Sequence, residues 1–151
     1  MSTWIADDAV IFGDVQFGEE CSVYYHTVIR TEGGTIVIGD GSNIQDNCVV
    51  HGPVHIGKDV TIGHSCIIHG CTIEDNSLIG MGSIIMDNAR IGKNCIIGAG
   101  SLVTEGTVVP DGHLAFGRPA KVIRPLREEE IRQNQESAKW YIEIKDMHAK
   151  Q

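Results

Sequence analysis

Three histidines are spaced so that their imidazoles could meet on one metal ion. His51 follows Val50 and His69 follows Ile68, 18 residues apart and in the same position of a recurring pattern. His64 lies five residues before His69, but two places after Ile62, so it holds a different position in that pattern. Neutral imidazoles held side by side are good ligands for a transition metal, and three of them leave an open coordination position. The spacing carries this meaning only if residues 18 apart are neighbours in space.

The aliphatic pattern supplies that condition. Ile38, Ile44, Val50, Ile56, Ile62 and Ile68 fall on every sixth residue. After a one-residue slip the run continues through Ile73, Ile79, Ile85, Ile91, Ile97, Val103 and Val109. An earlier, looser run is Ile11, Phe17, Val23 and Ile29. Four places after the aliphatic comes a small residue, among them Ser42, Cys48, Cys66, Ser77, Ser83, Cys95 and Ser101. Directly after it there is often glycine, as at Gly39, Gly57, Gly63, Gly80, Gly92 and Gly98. So short a period predicts a stacked solenoid, here a mainly β, left-handed triangular parallel β-helix. Three six-residue sides make one coil, and residues 18 apart stack on adjacent coils at about 4.8 Å. The expected division is a β-helix of five to six coils over 1–125 and a C-terminal α-helix with its tail over 126–151. The repeat stops near Pro110, a loop containing Phe116 to Lys121 follows, and the helix is expected from about Leu126 to Met147, with Glu128, Glu129 and Glu130 at its electropositive start.

This frame places the side chains. His51 and His69 share a wall and point the same way. His64 belongs to the preceding wall, so it can join them only from a second copy, in a heterologous contact closing around a threefold axis. If the gap from Ile29 to Ile38 is one repeat plus a three-residue bulge, Arg30 stands in the column of His51 and His69. Asp46 stands 18 before His64, in its column. Arg30 and Asp46 should then meet across the same interface as an ion pair, for which a guanidinium is suited. Gln45 takes a slot that elsewhere is often glycine and looks toward the metal cleft. Cys21, Cys48, Cys66 and Cys95 fill the small slot as buried space-fillers; Cys71 is one place off it. His26, His55, His113 and His148 read as surface or core residues.

Composition narrows the alternatives. Aromatics are 5 % and glycines number 18, which suits a narrow aliphatic core turned at glycine corners. A net charge of −8 argues against nucleic acid or an anionic membrane as partner. No apolar run approaches the ~20 residues of a membrane span. The N-terminus shows no basic region followed by a long apolar stretch, and the five scattered cysteines fit a reducing, cytoplasmic setting. Nucleophile-elbow, P-loop, Cys-x-x-Cys and dinucleotide motifs are absent from the sequence.

The segments Asn43-Ile44-Gln45-Asp46, His51, Gly63-His64 through His69-Gly70-Cys71, and Leu78-Ile79-Gly80-Met81-Gly82 resemble the γ-class carbonic anhydrase family of hexapeptide-repeat proteins. The resemblance runs from about residue 7 to Leu126 and more weakly through the tail. It implies a homotrimer with a metal site at each subunit interface. Two ligands from one chain match His51 and His69, and one from its neighbour matches His64. The metal it implies is zinc, with iron or cobalt as alternatives, and the reaction is reversible hydration of carbon dioxide to bicarbonate by metal-activated water. Arg30 and Asp46 match the family's intersubunit ion pair, Gln45 a residue that orients the solvent, and Tyr141 a tyrosine brought to the site by the C-terminal helix. The family's Arg-Gly-Asp reads Arg30-Thr31-Glu32 here, and the acidic proton-transfer loop has no counterpart between His51 and His64. Two other functions remain open on the sequence: a hexapeptide acyltransferase or metal-dependent thioesterase acting on coenzyme A thioesters, and a non-catalytic metal-binding trimer.

Overall fold

The computed structural model describes residues 2–151. Three parallel walls wind into a solenoid. The first stacks Trp4–Ile5, Ser22–Val23, Asn43–Ile44, Thr61–Ile62, Leu78–Ile79, Ile96–Ile97 and His113–Gly117. The second stacks Val10–Phe12, Val28–Arg30, Val49–His51, Ile67–His69, Ile84–Ile85 and Leu102–Val103. The third stacks Val15–Phe17, Ile36–Ile38, Val54–Ile56, Thr72–Ile73, Arg90–Ile91 and Val108–Val109.

Each inward aliphatic pairs with the next: Ile44 with Ile62, Val50 with Ile68, Ile79 with Ile97. From Ile29 onward nearly every member of the run is sealed from solvent, and the small-slot residues close the column between them. Burying one such isoleucine is worth roughly 1.5–3 kcal/mol. Two coils depart from 18 residues. Val28 pairs with Val49, 21 residues on, because Thr31 to Thr35 bulge out. Thr61 pairs with Leu78, 17 residues on, after the slip following Gly70.

A further regularity lies in the corners. The third residue after the inward aliphatic has positive φ: His26, Asn47, Asp59, Ser65, Asn76, Asn88 and Asn94 lie between 55° and 64°, and Gly41, Gly82, Gly100, Gly106 and Gly112 between 70° and 74°. L-residues with a β-branch avoid this region, whereas Asn, Asp and Gly tolerate it. The glycine directly after the aliphatic answers a different need. A side chain on Gly63 would meet the Met81 backbone nitrogen at 2.8 Å, so only a bare backbone lets the next coil settle there.

Beyond Pro110 the structure departs from the expected loop. His113–Gly117 continues the first wall and Ala120–Pro125 folds back on it antiparallel. Val122 and Ile123, in the returning strand, supply the β-branched residues that the loop reading overlooked. The helix runs Glu128–Ala149 and lies over the lower half of the first wall, against Trp4–Ile5, Ser22–Val23, Asn43–Ile44 and Thr61–Ile62. Asn134 donates to the carbonyls of Asn76 and Cys95 at 3.1 and 3.0 Å, satisfying acceptors that the helix would otherwise bury. Tyr25 and His148 meet at 2.8 Å at the far end, within an aromatic cluster that includes Trp4 and Tyr24.

Glu130 fastens the near end. It accepts two bonds from Arg124, at 2.8 and 2.9 Å, and one from the Arg127 backbone at 2.9 Å. The Arg124 bonds, then the Arg127 amide, hold the Glu130 carboxyl down at about 2, against an ordinary 4.5. A lowered folded-state pKa stabilises fully above pH 4.5, and the contribution is lost as pH falls toward 2. Glu130→Gln should therefore be less stable than the wild type at pH 7, with the difference closing as pH drops from 4.5 to 2. Urea unfolding across that range checks it; a difference independent of pH would exclude the carboxylate as its source.

Candidate metal centre

In-register stacking places His51 directly beside His69, and Arg30 beside His51, on the second wall. The imidazoles meet edge to face, with His51 Nδ1 and His69 Nε2 3.1 Å apart. Each ring is also held from its far side. His51 Nε2 lies 2.8 Å from Glu32 Oε1, and His69 Nδ1 contacts Asp87 Oδ1. A carboxylate only accepts, so each of these outer nitrogens carries the proton. With both rings neutral, the two inner nitrogens then face one another as lone pairs. Such a pair calls for a cation between them, and two tetrahedral ligands at 2.0–2.1 Å from one ion stand about 3.4 Å apart. The donors present therefore fit a metal ion with little movement.

His64 sits on the first wall, where Asp46 on the coil before it contacts its Nδ1 at 3.0 Å. Nδ1 is thereby engaged, and the side chain is about half exposed. Within one chain His64 does not join the pair: among the described residues no three His, Cys, Asp or Glu side chains converge as a metal cage. Arg30 and Asp46, matched in the sequence as an intersubunit pair, are on different walls and not in contact within the chain. Arg30 Nη1 pairs with Glu32 Oε2 at 2.6 Å instead, and Asp46 with His64.

Gln45 is buried at the foot of a groove of about 490 Å³ that also takes in His64, Met81, Trp140 and Tyr141. Its column explains the opening: Tyr24 lies one coil below, whereas Gly63, Gly80 and Gly98 follow above. Gln45 Nε2 donates to Asn43 Oδ1, Asn43 Nδ2 to Thr61 Oγ1, and Thr61 bonds Ser137 of the helix, at 3.1, 3.1 and 3.3 Å. Gln45 is thus fixed by a relay that ends on the helix bringing Tyr141. Burial, and next the Asp46 charge, push the Tyr141 phenol up, keeping it a neutral donor near pH 7.

Asp87 and the contacts of Glu32 and Asp46 with the rings were not foreseen from the sequence. Asp87 stands 18 after His69, the same interval that flagged the histidines, but the 17-residue coil between them disguises it.

The outer surfaces of the walls differ in character. The second wall shows Val10, Val28, Val49, Ile67, Ile84 and Leu102 in one column, with Val10 53 % and Ile67 39 % exposed. The upper first wall adds exposed Met81 beside exposed Trp140 of the helix. The third wall carries Gln16, Val37, His55, Thr72, Arg90 and Val108 in the same position and is more polar than the second.

Comparisons agree with this architecture. The family model for the bacterial transferase hexapeptide (six repeats) matches residues 70–105, and that for the hexapeptide repeat of succinyl-transferase matches 53–86. A protein of Methanocaldococcus jannaschii named a probable carbonic anhydrase is 49 % identical over 94 % of this chain and 92 % of its own length. A carbonic anhydrase of Geobacillus kaustophilus is 48 % identical, covering 94 % and 80 %. The chain belongs to the γ-class carbonic anhydrase-like family of hexapeptide-repeat proteins. Among solved structures, a hexapeptide transferase family protein from Anaplasma phagocytophilum superimposes with a TM-score of 0.86 at 46 % identity, covering 94 % of this chain and 90 % of that one.

The arrangement also fixes the charge of Glu32. Its bond from His51, and then that from Arg30, lower its carboxyl below the ordinary 4.5. Arg30→Gln should raise the Glu32 titration midpoint without returning it to 4.5, because the His51 bond persists. Carboxyl ¹³C NMR of Glu32 reads this, and full return to 4.5 would assign the whole effect to Arg30.

Proposed function

We propose that this chain is the protomer of a homotrimeric, metal-dependent carbonic anhydrase that hydrates carbon dioxide reversibly to bicarbonate. The observation that carries the reading is the close approach of His51 Nδ1 and His69 Nε2, 3.1 Å apart, each ring held by a carboxylate on its other side. His64, held in the same way by Asp46, is the third ligand and comes from a neighbour. The apolar column beside His51 and His69 and the exposed Met81 and Trp140 near His64 support burial of the second wall of one subunit against the first wall of the next. In that packing Arg30 of one chain comes within reach of Asp46 of the other.

Zinc is the metal best suited to three imidazoles, with iron or cobalt as alternatives. When bound it supplies the Lewis acidity by which water becomes a nucleophile near pH 7. The chain's own residues do the rest. Gln45, with its amide nitrogen committed to Asn43, presents its carbonyl oxygen as an acceptor that orients water. Tyr141 lines the same groove as a neutral donor. Leu78, Ile96 and Met81 give that groove an apolar side suited to an uncharged, nonpolar gas.

One finding favours a second reading. The relative from Anaplasma phagocytophilum is named a hexapeptide transferase family protein. Acyl transfer needs one general base, whereas three carboxylate-held imidazoles are a metal-ligand arrangement. Coenzyme A thioester turnover that survives chelation would favour acyl transfer.

The purified protein should contain about one metal per chain, and His64→Ala should empty every site although His51 and His69 remain. Metal analysis and stopped-flow carbon dioxide hydration check this. Co-assembly of His64→Ala with His69→Ala chains should restore about one site in four, since a random trimer pairs an intact His51/His69 edge with an intact His64 at that frequency. Full metal retention by His64→Ala would overturn the shared site.

A further inference from the structure

We infer that Asp87 is a positioning residue for the metal centre: its carboxylate fixes the tautomer of His69 so that Nε2 is the nitrogen offered to the ion. The inference rests on the metal-centre reading above and adds a residue which the family pattern did not supply.

Asp87 Oδ1 contacts His69 Nδ1, the nitrogen turned away from His51. The local backbone makes room for this contact. Gly70, next to His69, has φ +59°, and a side chain built there would run into the Asp87 carboxylate oxygen. The 17-residue coil contributes as well: in register, Ile67 and Ile68 pair with Ile84 and Ile85, which aligns Met86 with His69 and leaves Asp87 one place further on, beside Gly70. Asp87 thus reaches the ring from its outer edge. The recess around it is lined by Ile67, Ile84 and Met86, with Glu105 as its other acid.

The chemistry gives the role a sign. A carboxylate can only accept from Nδ1–H, which leaves Nε2 with a lone pair. An asparagine is the same size, but its amide can donate to Nδ1 and so drive the proton onto Nε2, the nitrogen the metal needs. A purely structural Asp87 would make Asp87→Asn mild and Asp87→Ala worse. A tautomer-fixing Asp87 makes Asp87→Asn at least as damaging as Asp87→Ala.

The test uses cobalt(II) as probe on the full-length assembled protein. Affinity is read by chelator competition and coordination by the visible absorption bands. Both Asp87 variants should bind cobalt about 10–100-fold more weakly than the wild type, with Asn no better than Ala, while the thermal midpoint of the metal-free protein is unchanged. Long-range ¹H–¹⁵N NMR of metal-free wild type should show His69 as the Nδ1–H tautomer, a readout that needs no variant. His64→Ala separates the two ideas. If it binds cobalt as the wild type does, the shared-site reading fails. If it loses cobalt while Asp87→Asn binds at wild-type affinity, or if His69 is the Nε2–H tautomer, this inference alone falls.

Discussion

The in-register stacking of one coil on the next is the constraint from which the rest follows. Parallel pairing admits no sliding here. A one-residue shift would turn Ile44, Val50 and Ile62 outward and bring polar neighbours into a core that has no partners for them. Because register is locked by the aliphatics, an outward residue inherits a fixed neighbour on the adjacent coil. His51 and His69 need no special loop to hold them. They are adjacent for the same reason that Val50 and Ile68 are.

The regular repeat and its irregularities divide the work at the metal centre. The repeat aligns the two imidazoles of the second wall and stacks Asp46 on the coil before His64. The other two carboxylates come from places where the repeat breaks. Glu32 rides on the Thr31 to Thr35 bulge, the insertion that lengthens one coil to 21 residues. Asp87 stands beside Gly70, and not in the column of His69, because the slip after Gly70 shortens another coil to 17. A perfect repeat would still stack the histidines, but it would have no bulge to carry Glu32 and would set Asp87 in the column of His69 instead of beside Gly70. The breaks flank the pair on both sides along the solenoid, where uniform stacking would otherwise leave the ring orientation unspecified.

This division also explains what the sequence disclosed. The inward aliphatics, the small slot, the wall shared by His51 and His69, and the separate placement of His64 follow from counting, because period and burial are tied. The corners were legible in principle: Asn47, Asn76, Asn88 and Asn94 all stand three places after an aliphatic. Asp87 lies at the 18-residue interval from His69, but the 17-residue coil makes Met86 the register partner of His69, so the interval alone does not assign the contact. The strand Ala120–Pro125 leaves no mark in the repeat because it pairs antiparallel, outside the hexapeptide frame, and shows no inward column of its own. Arg30 and Asp46 were placed correctly in their columns, while their partners within the chain, Glu32 and His64, depend on side-chain reach that spacing does not encode.

The same logic bears on the departure at Glu32. The family's aspartate is one methylene shorter, and in this chain the longer side chain spans two tasks, accepting from His51 with one oxygen and from Arg30 with the other. Arg30 stands one coil below His51 in the same column, so a single carboxylate on the bulge ties together two stacked rungs beside the metal pair. That link makes Arg30 double-edged. Within one chain it restrains Glu32, and in the proposed trimer it is also the group that would meet Asp46 of the neighbour, the residue holding His64. A guanidinium presents enough donors to serve both carboxylates at once. If it does, the interface and the ligand set are not separate features: the charge that joins two subunits also touches the acids that aim His51 in one and His64 in the other. Assembly would then orient two of the three ligand rings as a consequence of closing the contact.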